Sequence, residues 1–410
     1  MQYKLTAPDS LKTNILLPSS KSISNRALII NALAGANHFP ENISDCDDTN
    51  VMVKALRKPS ETIDIQAAGT AMRFLTAYLA VNGEKHVLTG TERMKNRPIG
   101  VLVDALRSLG AQISYTNKEG FPPLQIIGGN YPGGKLSIPG NISSQYISAL
   151  LMIGPTLANG LSLELTGSVI SRPYIDMTLK IMRDFGAQAG WTNDHCIRVA
   201  PIGYTTVPYT IESDWSAASY WYEMIALSAD EQARIELPGL HADSCQGDAA
   251  IQRFFQPLGV ATTFEGTHVV LHKAPPTAEA LRFDLTNQPD LAQTLVVTCA
   301  LMERPFHFTG LQSLKIKETD RCVALCRELR KLGYVVEELN QSELCWRGEH
   351  CEPQGKPEID TYEDHRMAMS FAPACFKTNN LHINDIHVVS KSYPNYWSDL
   401  IKAGFKLTSH

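Results

Sequence analysis

Seven cations, Lys21, Arg26, Arg97, Lys317, Arg321, Arg366 and Lys391, recur beside the predicted starts of helices in this chain. Positive charge there opposes the helix dipole at a cost of roughly a few tenths of a kcal/mol each, so a set in register calls for an anionic partner. The same starts carry groups that bind anions or move protons: Ser22, Gly69 and Thr70, Ser143 to Gln145, Asp214, Asp290, and Asp364 to Arg366. A helix N-terminus presents unpaired N–H groups and about half a positive charge, so several of them pointed to one place suit phosphates or carboxylates. Ser, Thr and Asp also serve as plain N-caps, and that alternative stands for each of them singly. Capping does not account for the cations. The segment KETDR sets Lys317 and Arg321 at i and i+4 on one predicted helical face, with Glu318 one step round. Asp290 follows Pro289 at a helix start, and in DHRMAM His365 and Arg366 precede an apolar helix, where a lone His reads as structural. No His or Cys pair has metal-ligand spacing.

These residues sit on a repeat. Helical patterns close on Gly110, Gly186, Gly259, Gly333 and Gly404, at intervals of 76, 73, 74 and 71 residues. Apolar residues at i, i+3, i+4 and i+7 before each glycine predict amphipathic helices with glycine C-caps, followed by β-rich stretches. A second helix per repeat begins polar and turns apolar, from Thr70, Ser143, Ser216, Asp290 and Glu363. Counting back from Thr70 reaches KSISNRALIINALAG, whose Ser22 lies only 48 residues earlier, so the first unit is short by about 25 and a reduced sheet layer is expected in the first domain. Six units result, each read as strand, helix, strand, helix and further strand. A chain of six such units exceeds one core and predicts two domains of three units. The expected division is 20–212 against 1–19 plus 213–410, with the segment before Lys21 packing on the last units.

The composition is that of a folded globular chain: 410 residues, 44% hydrophobic and 19% charged. A net charge of −5 provides no global basic field for nucleic acid, so anion sites must be local. Nine cysteines without a CxxC pair argue against a disulfide framework or zinc ribbon, and Cys322 and Cys326 read as buried apolar fillers. The N-terminus lacks a secretory pattern and no apolar run approaches the roughly 18 residues of a membrane span, so a soluble, reduced, cytoplasmic protein is expected.

The motifs LPSSKSISNRAL, AGTAMRFL, RMKNRPIG, SSQYISALLM, SRPYIDMTL, PDLAQT, KETDR, DHRMAMSFA and KSYPNYW, spread from Leu17 to Lys402, occur in the order seen in 5-enolpyruvylshikimate-3-phosphate synthases, which the chain resembles. The resemblance implies an α/β fold of two domains, the inside-out α/β barrel of enolpyruvyl transferases, with six βαβαββ-type repeats and an interdomain active site. It also implies the reaction: phosphoenolpyruvate and shikimate 3-phosphate give enolpyruvylshikimate 3-phosphate and phosphate, by addition then elimination. Carried over by motif, Lys21, Ser22, Arg26, Ser143, Ser144, Gln145, Ser171, Tyr174, Asp290, Ser313 and Lys317 look like the shikimate-phosphate set. Lys21, Gly69, Arg97, Gln145, Arg321, Arg366 and Lys391 look like the phosphoenolpyruvate set. The acceptor hydroxyl must lose a proton while the enol methylene gains one, and Asp290 and Glu318 resemble the pair that moves them. Lys21 would stabilise charge on the bridging oxygen. The resemblance implies no metal or cofactor, no nucleic-acid or membrane partner, and a monomer.

The chain departs from the family pattern at Ala67 and Phe74, where the family has Asn and Pro, and at Ser313, where it has Asn. The first two alter the packing behind Gly69 and leave glyphosate sensitivity open, and the third gives the shikimate ring a shorter partner. Two rival readings follow. A sister enolpyruvyl transferase acting on UDP-N-acetylglucosamine typically carries a Cys in the loop that runs here from Thr89 to Pro98, and this stretch has none. A non-catalytic anion-binding relative would have no need of the Asp290 and Glu318 pair.

Overall fold

The computed structural model describes residues 1–409. The chain forms two compact units, Ser19–Ile211 and Met1–Pro18 joined with the chain from Glu212 onward.

Among the described residues there are five four-stranded sheets, and they share one plan. In the sheet of Gly134–Pro139, Leu161–Thr166, Ala189–Asn193 and Cys196–Val199, the first strand runs parallel to the second, and the fourth lies antiparallel between the second and third. The strands Thr62–Asp64, Lys85–Thr89, Gln112–Tyr115 and Leu124–Ile127 repeat the plan in the same unit. In the other unit the N-terminal segment completes two sheets. Lys12–Asn14 takes the first-strand place parallel to Arg234–Pro238, and Gln2–Thr6 takes the fourth-strand place between Leu381–Asn384 and Lys406–Ser409. The registers, Thr13 on Ile235 and Leu5 on Leu381, join residues more than 200 apart.

The first repeat has the reduced sheet layer expected of its shortened sequence. It has the helices Lys21–Leu33 and Asp47–Arg57 but no sheet of its own, only an isolated bridge from Glu41 to Thr210. The cause is the missing stretch: the helix ends at Arg57, and the next strand, Thr62–Asp64, already pairs with Lys85–Thr89 of the second repeat. Nothing is left from which to build a hairpin.

The closing helices of the other repeats end as the glycines predict. Gly110, Gly186, Gly259, Gly333 and Gly404 have φ between 84° and 104°, a conformation that only glycine adopts without strain and that stops a helix. The opening helices differ in kind. Trp215–Leu227 and Ala292–Leu301 are buried on nearly every side, and so is Ser144–Ile153 apart from Gln145, which fits helices apolar all round rather than striped. In each unit three of them pack side by side, Lys21–Leu33 with Gly69–Val81 and Ser144–Ile153, and Trp215–Leu227 with Ala292–Leu301 and His365–Phe371. Polar bonds join their starts, Gln145 to Thr70 in one triplet and Arg366 to Asp290 in the other, so the N-terminal ends of each triplet lie together. Cys322 is buried and Cys326 only half-buried.

Burial places one carboxyl in the second triplet. Glu223 is fully buried on the Trp215–Leu227 helix, and burial pushes its acid well above the carboxylate range against the pull of the Thr298 hydroxyl. A folded-state pKa raised above the unfolded value means that stability falls as pH rises beyond the unfolded pKa. Glu223→Gln is therefore expected to raise the melting temperature at pH 8 by about 3–6 °C and far less at pH 5. Thermal melts of both proteins at the two pH values check this, and an equal gain at both would show that Glu223 ionisation carries no cost.

Candidate active site

In the unit Ser19–Ile211 the polar groups gather at the starts of the triplet. Lys21 opens its helix and pairs with Asp48 at 3.2 Å, from the first turn of Asp47–Arg57. Arg26, 3% exposed, is a strut: Nη1 donates to the carbonyl of Ser22, Nε to Thr178 Oγ1 at 2.7 Å, and Nη2 to Ser148 Oγ and the carbonyl of Tyr174. It thereby ties three segments, those of Ser22, Ser148 and Tyr174, into one frame. Ser143 caps its helix through the N–H of Gln145 at 3.3 Å, while the Gln145 amide donates to Thr70 Oγ1 at 3.1 Å. Ser144 is buried in the first turn. Ser171 precedes Arg172–Asp184 with φ 53°, an uncommon backbone for a residue with a side chain, and makes no side-chain cap bond.

The Gly69–Val81 helix begins after Ala68, so no side chain caps it. In that place stands Arg97. Its guanidinium lies so near Gly69 that a Cβ there would meet Nη1 at 2.6 Å. The Arg97 side chain has no hydrogen bond or ion pair among the described residues, and its Nε is shielded from solvent without an acceptor. The segment that carries it is held by Tyr146 Oη, which donates to the carbonyl of Pro98 at 2.6 Å, and by buried Arg73, which donates to the carbonyls of Pro98 and Gly69. An uncapped helix start beside an unsatisfied guanidinium is a place for an anion.

In the other unit cations and carboxylates interlock. Arg321, 1% exposed, donates through Nε to Asp364 Oδ2 at 2.7 Å and through Nη2 to Asp364 Oδ1 at 3.2 Å, and it reaches Glu318 at 3.2 Å and Asp290 at 3.3 Å. Burial works against its charge, but the carboxylates of Asp364, Glu318 and Asp290 outweigh burial and hold it protonated. Arg366 donates to Asp290 at 3.0 Å and to Tyr220 Oη at 3.4 Å, Lys317 stands 3.5 Å from Asp290, and Lys391 pairs with Glu318 at 2.9 Å. Burial pushes the Tyr220 phenol up to about 12 against the pull of Arg366, which keeps it neutral. The Gln293 amide, with its oxygen toward Arg321, accepts from Nε at 3.1 Å and donates to the carbonyl of Asp290. Ser313 sits in the turn Gln312–Ile316, its hydroxyl shielded and without a partner among the described residues.

Two local expectations are corrected here. Lys317 and Arg321 do not share a helical face. The helix begins only at Arg321, because Asp320 caps it through the N–H of Val323, and Lys317 and Glu318 lie in the loop before it. Asp290 likewise lies in a 3₁₀ turn, Pro289–Leu291, ahead of the helix Ala292–Leu301. The capping alternative holds for Asp214, which accepts from the N–H of Ala217, and for Asp364, which accepts from that of Arg366 while also binding Arg321. The sequence reading missed Asp48, Asp364 as an ion-pair partner, Gln293 and Arg73. The acids were visible in DDTN and DHR, where they pass for ordinary first-turn residues.

Comparison with known proteins shows the family. The family model described as EPSP synthase (3-phosphoshikimate 1-carboxyvinyltransferase) matches residues 5–61 and 58–400. The chain belongs to the EPSP synthase family. A relative from Bacteroides fragilis named 3-phosphoshikimate 1-carboxyvinyltransferase is 58% identical over 405 residues, covering 99% of this chain and 98% of its own. One of the same name from Shewanella pealeana is 34% identical over 433 residues, covering 97% and 98%. The fold is that of a solved EPSP synthase from Acinetobacter baumannii, with a TM-score of 0.77 at 21% identity and full coverage of both chains. The enolpyruvyl transferase NikO from Streptomyces tendae gives 0.76 at 16% identity, covering 100% of this chain and 99% of that one. The two-domain α/β expectation thus holds at the level of the family, and the sister reading for the UDP-sugar is not favoured. No helix of the described residues is long and apolar enough to cross a membrane.

Two predictions follow from the site geometry. Gly69→Ala forces the Arg97 guanidinium aside but meets only a side-chain end. The melting temperature should therefore hold within about 2 °C while phosphoenolpyruvate binds at least about tenfold more weakly. Unchanged affinity on titration would remove Arg97 from the anion site. Asp364→Asn leaves the buried Arg321 short of its closest counter-charge and is expected to cost about 3 kcal/mol of stability. Urea unfolding measures this, and a loss near zero would show that Glu318 and Asp290 suffice.

Proposed function

We infer that this chain transfers the enolpyruvyl group of phosphoenolpyruvate to the 5-hydroxyl of shikimate 3-phosphate and releases phosphate, a step of aromatic amino acid biosynthesis. The single observation that carries the chemistry is the combination at Arg97 and Gly69: an unsatisfied guanidinium over an uncapped helix start. Such a pair has use for a phosphate or carboxylate and none for a neutral ligand.

The roles are those that the family resemblance implies. Ser22, Ser143, Ser144, Gln145, Ser171 and Tyr174 hold shikimate 3-phosphate in the frame that Arg26 ties together, and Lys317 and Ser313 face the ring hydroxyls. Lys21, Gly69, Gln145, Arg97, Arg321, Arg366 and Lys391 are the groups proposed to meet phosphoenolpyruvate. In the free protein Asp290 and Glu318 supply the negative charge around Arg321, Arg366 and Lys391. The phosphate and carboxylate of phosphoenolpyruvate are the alternative partners of those cations, and their arrival releases the two carboxylates for proton transfer. Asp290 takes the proton of the 5-hydroxyl as its oxygen attacks C2 of phosphoenolpyruvate, and Glu318 exchanges a proton with the methylene carbon. Elimination removes a methyl proton as the C–O bond to phosphate breaks, and Lys21 stabilises the charge on that oxygen.

The test is phosphate release by the purified protein given phosphoenolpyruvate with shikimate 3-phosphate, with UDP-N-acetylglucosamine, or with neither. Release with shikimate 3-phosphate alone supports the reading. Release only with the UDP-sugar points to the sister reaction, and binding without release to a non-catalytic relative. Glu318→Gln is expected to keep shikimate 3-phosphate affinity within a few fold and to lower turnover at least about 100-fold. A near wild-type rate would take Glu318 out of the chemistry.

A further inference from the structure

One buried side chain of the PDLAQT segment has no part in the chemistry so far. Gln293 is fully buried in the first turn of the helix Ala292–Leu301, and no other residue of that helix has a long polar side chain. A buried amide needs a partner at each end. Its oxygen accepts from Arg321 Nε at 3.1 Å and Nη1 at 3.3 Å, and its nitrogen donates to the carbonyl of Asp290 at 3.3 Å. One amide therefore touches both the guanidinium and the backbone of an acid that pairs with it.

Every nitrogen of Arg321 is shared between two acceptors. Nε has Asp364 Oδ2 at 2.7 Å and Gln293, Nη1 has Asp290 at 3.3 Å and Gln293, and Nη2 has Glu318 and Asp364 Oδ1, both at 3.2 Å. In the functional reading above, Asp290 and Glu318 leave these cations when phosphoenolpyruvate arrives. Their departure vacates one bonding position on each Nη, the two-pronged fork that suits a carboxylate or phosphate. Asp364 and Gln293 are what stay. Asp364 keeps Nη2 and Gln293 keeps Nη1, while both keep Nε. Being neutral, Gln293 does so without cancelling more of a charge that already faces three carboxylates.

We propose that Gln293 is a positioning residue for the reaction: it holds the Arg321 guanidinium and the Asp290 turn in register while the ion pair between them opens to admit phosphoenolpyruvate. The inference rests on the roles given to Arg321 and Asp290 above. Without the amide, Nη1 has no acceptor of the protein's own once Asp290 leaves, so the pair opens less readily. The carbonyl of Asp290 also loses a donor, and the turn that carries the base is held less firmly. Entry of phosphoenolpyruvate and proton transfer both suffer. Shikimate 3-phosphate is held chiefly by Ser143, Ser144, Gln145 and Ser171, so its binding is spared.

The experiment is steady-state phosphate release by the wild type, Gln293→Met and Gln293→Glu, each substrate being varied with the other saturating. Thermal melts show that each variant is folded at the assay temperature. Gln293→Met keeps the volume but not the amide, and it should raise KM for phosphoenolpyruvate about tenfold and lower kcat about tenfold, with KM for shikimate 3-phosphate within about twofold. Gln293→Glu keeps the shape and an acceptor, but it adds a fourth carboxylate and cannot donate to the carbonyl of Asp290. Its KM for phosphoenolpyruvate should rise at least as far. A side chain that only fills the core would move the two KM values together or move neither. Either result in a folded variant would overturn the inference while leaving the reaction intact. A crystal structure of the wild type with both substrates reads the same point without substitution. Gln293 still bonded to Arg321 and to the carbonyl of Asp290 after the ion pair has opened supports the inference, and a released amide or a pair that stays closed overturns it. A wild type without turnover on shikimate 3-phosphate would overturn the functional reading itself, and the inference with it.

Discussion

The arrangement of the Glu212-onward unit depends on one buried ion pair, Arg321 with Asp364. The guanidinium is 1% exposed and the carboxylate fully buried, and two parallel bonds join the helix Arg321–Lys331 to the start of His365–Phe371. Removing a charge of this kind from water costs several kcal/mol unless its donors find acceptors. Arg321 meets that condition by reaching Glu318 and Asp290 as well, and Gln293 lies against it. The pair therefore fixes the two carboxylates proposed to move protons, and with Asp290 fixed, Arg366 and Lys317 have their places too.

The other unit solves the same problem differently. Lys21 has the counter-charge of Asp48, and the donors of Arg26 are spent on neutral acceptors of three segments. Arg97 is the exception, held by Arg73 and Tyr146 through the carbonyl of Pro98 and given no acceptor of its own. A buried donor without an acceptor costs stability, and it persists where a ligand supplies the missing group.

Much of this was legible in the sequence, and for physical reasons. A glycine that ends a helix needs positive φ, so five of them at near-equal intervals marked the closing helices, and cations set against helix dipoles marked the candidate anion site. What escaped is what depends on distant partners. Nothing in MQYKLT says that it completes a sheet with residues 381–384 and 406–409, whereas the reduced sheet layer of the first repeat follows from the about 25 residues it lacks. The helical reading of KETDR failed because Asp320 is a better N-cap than Lys317 is a first-turn residue. Asp48 and Asp364 looked like ordinary first-turn acids, since a sequence shows which residues can carry charge but not which cation each one meets.

The central claim is that the protein's own carboxylates occupy cations meant for substrate, while Arg97 waits for one. Crystals grown with shikimate 3-phosphate and phosphoenolpyruvate test it most directly. The account predicts an anion on Arg97 at the start of the Gly69 helix, a phosphate against Ser143, Ser144 and Ser171, and Arg366 and Lys391 turned from Asp290 and Glu318 beyond the present 3.0 and 2.9 Å. Ligands bound elsewhere, with Arg97 still lacking an acceptor and those two pairs unchanged, would contradict it.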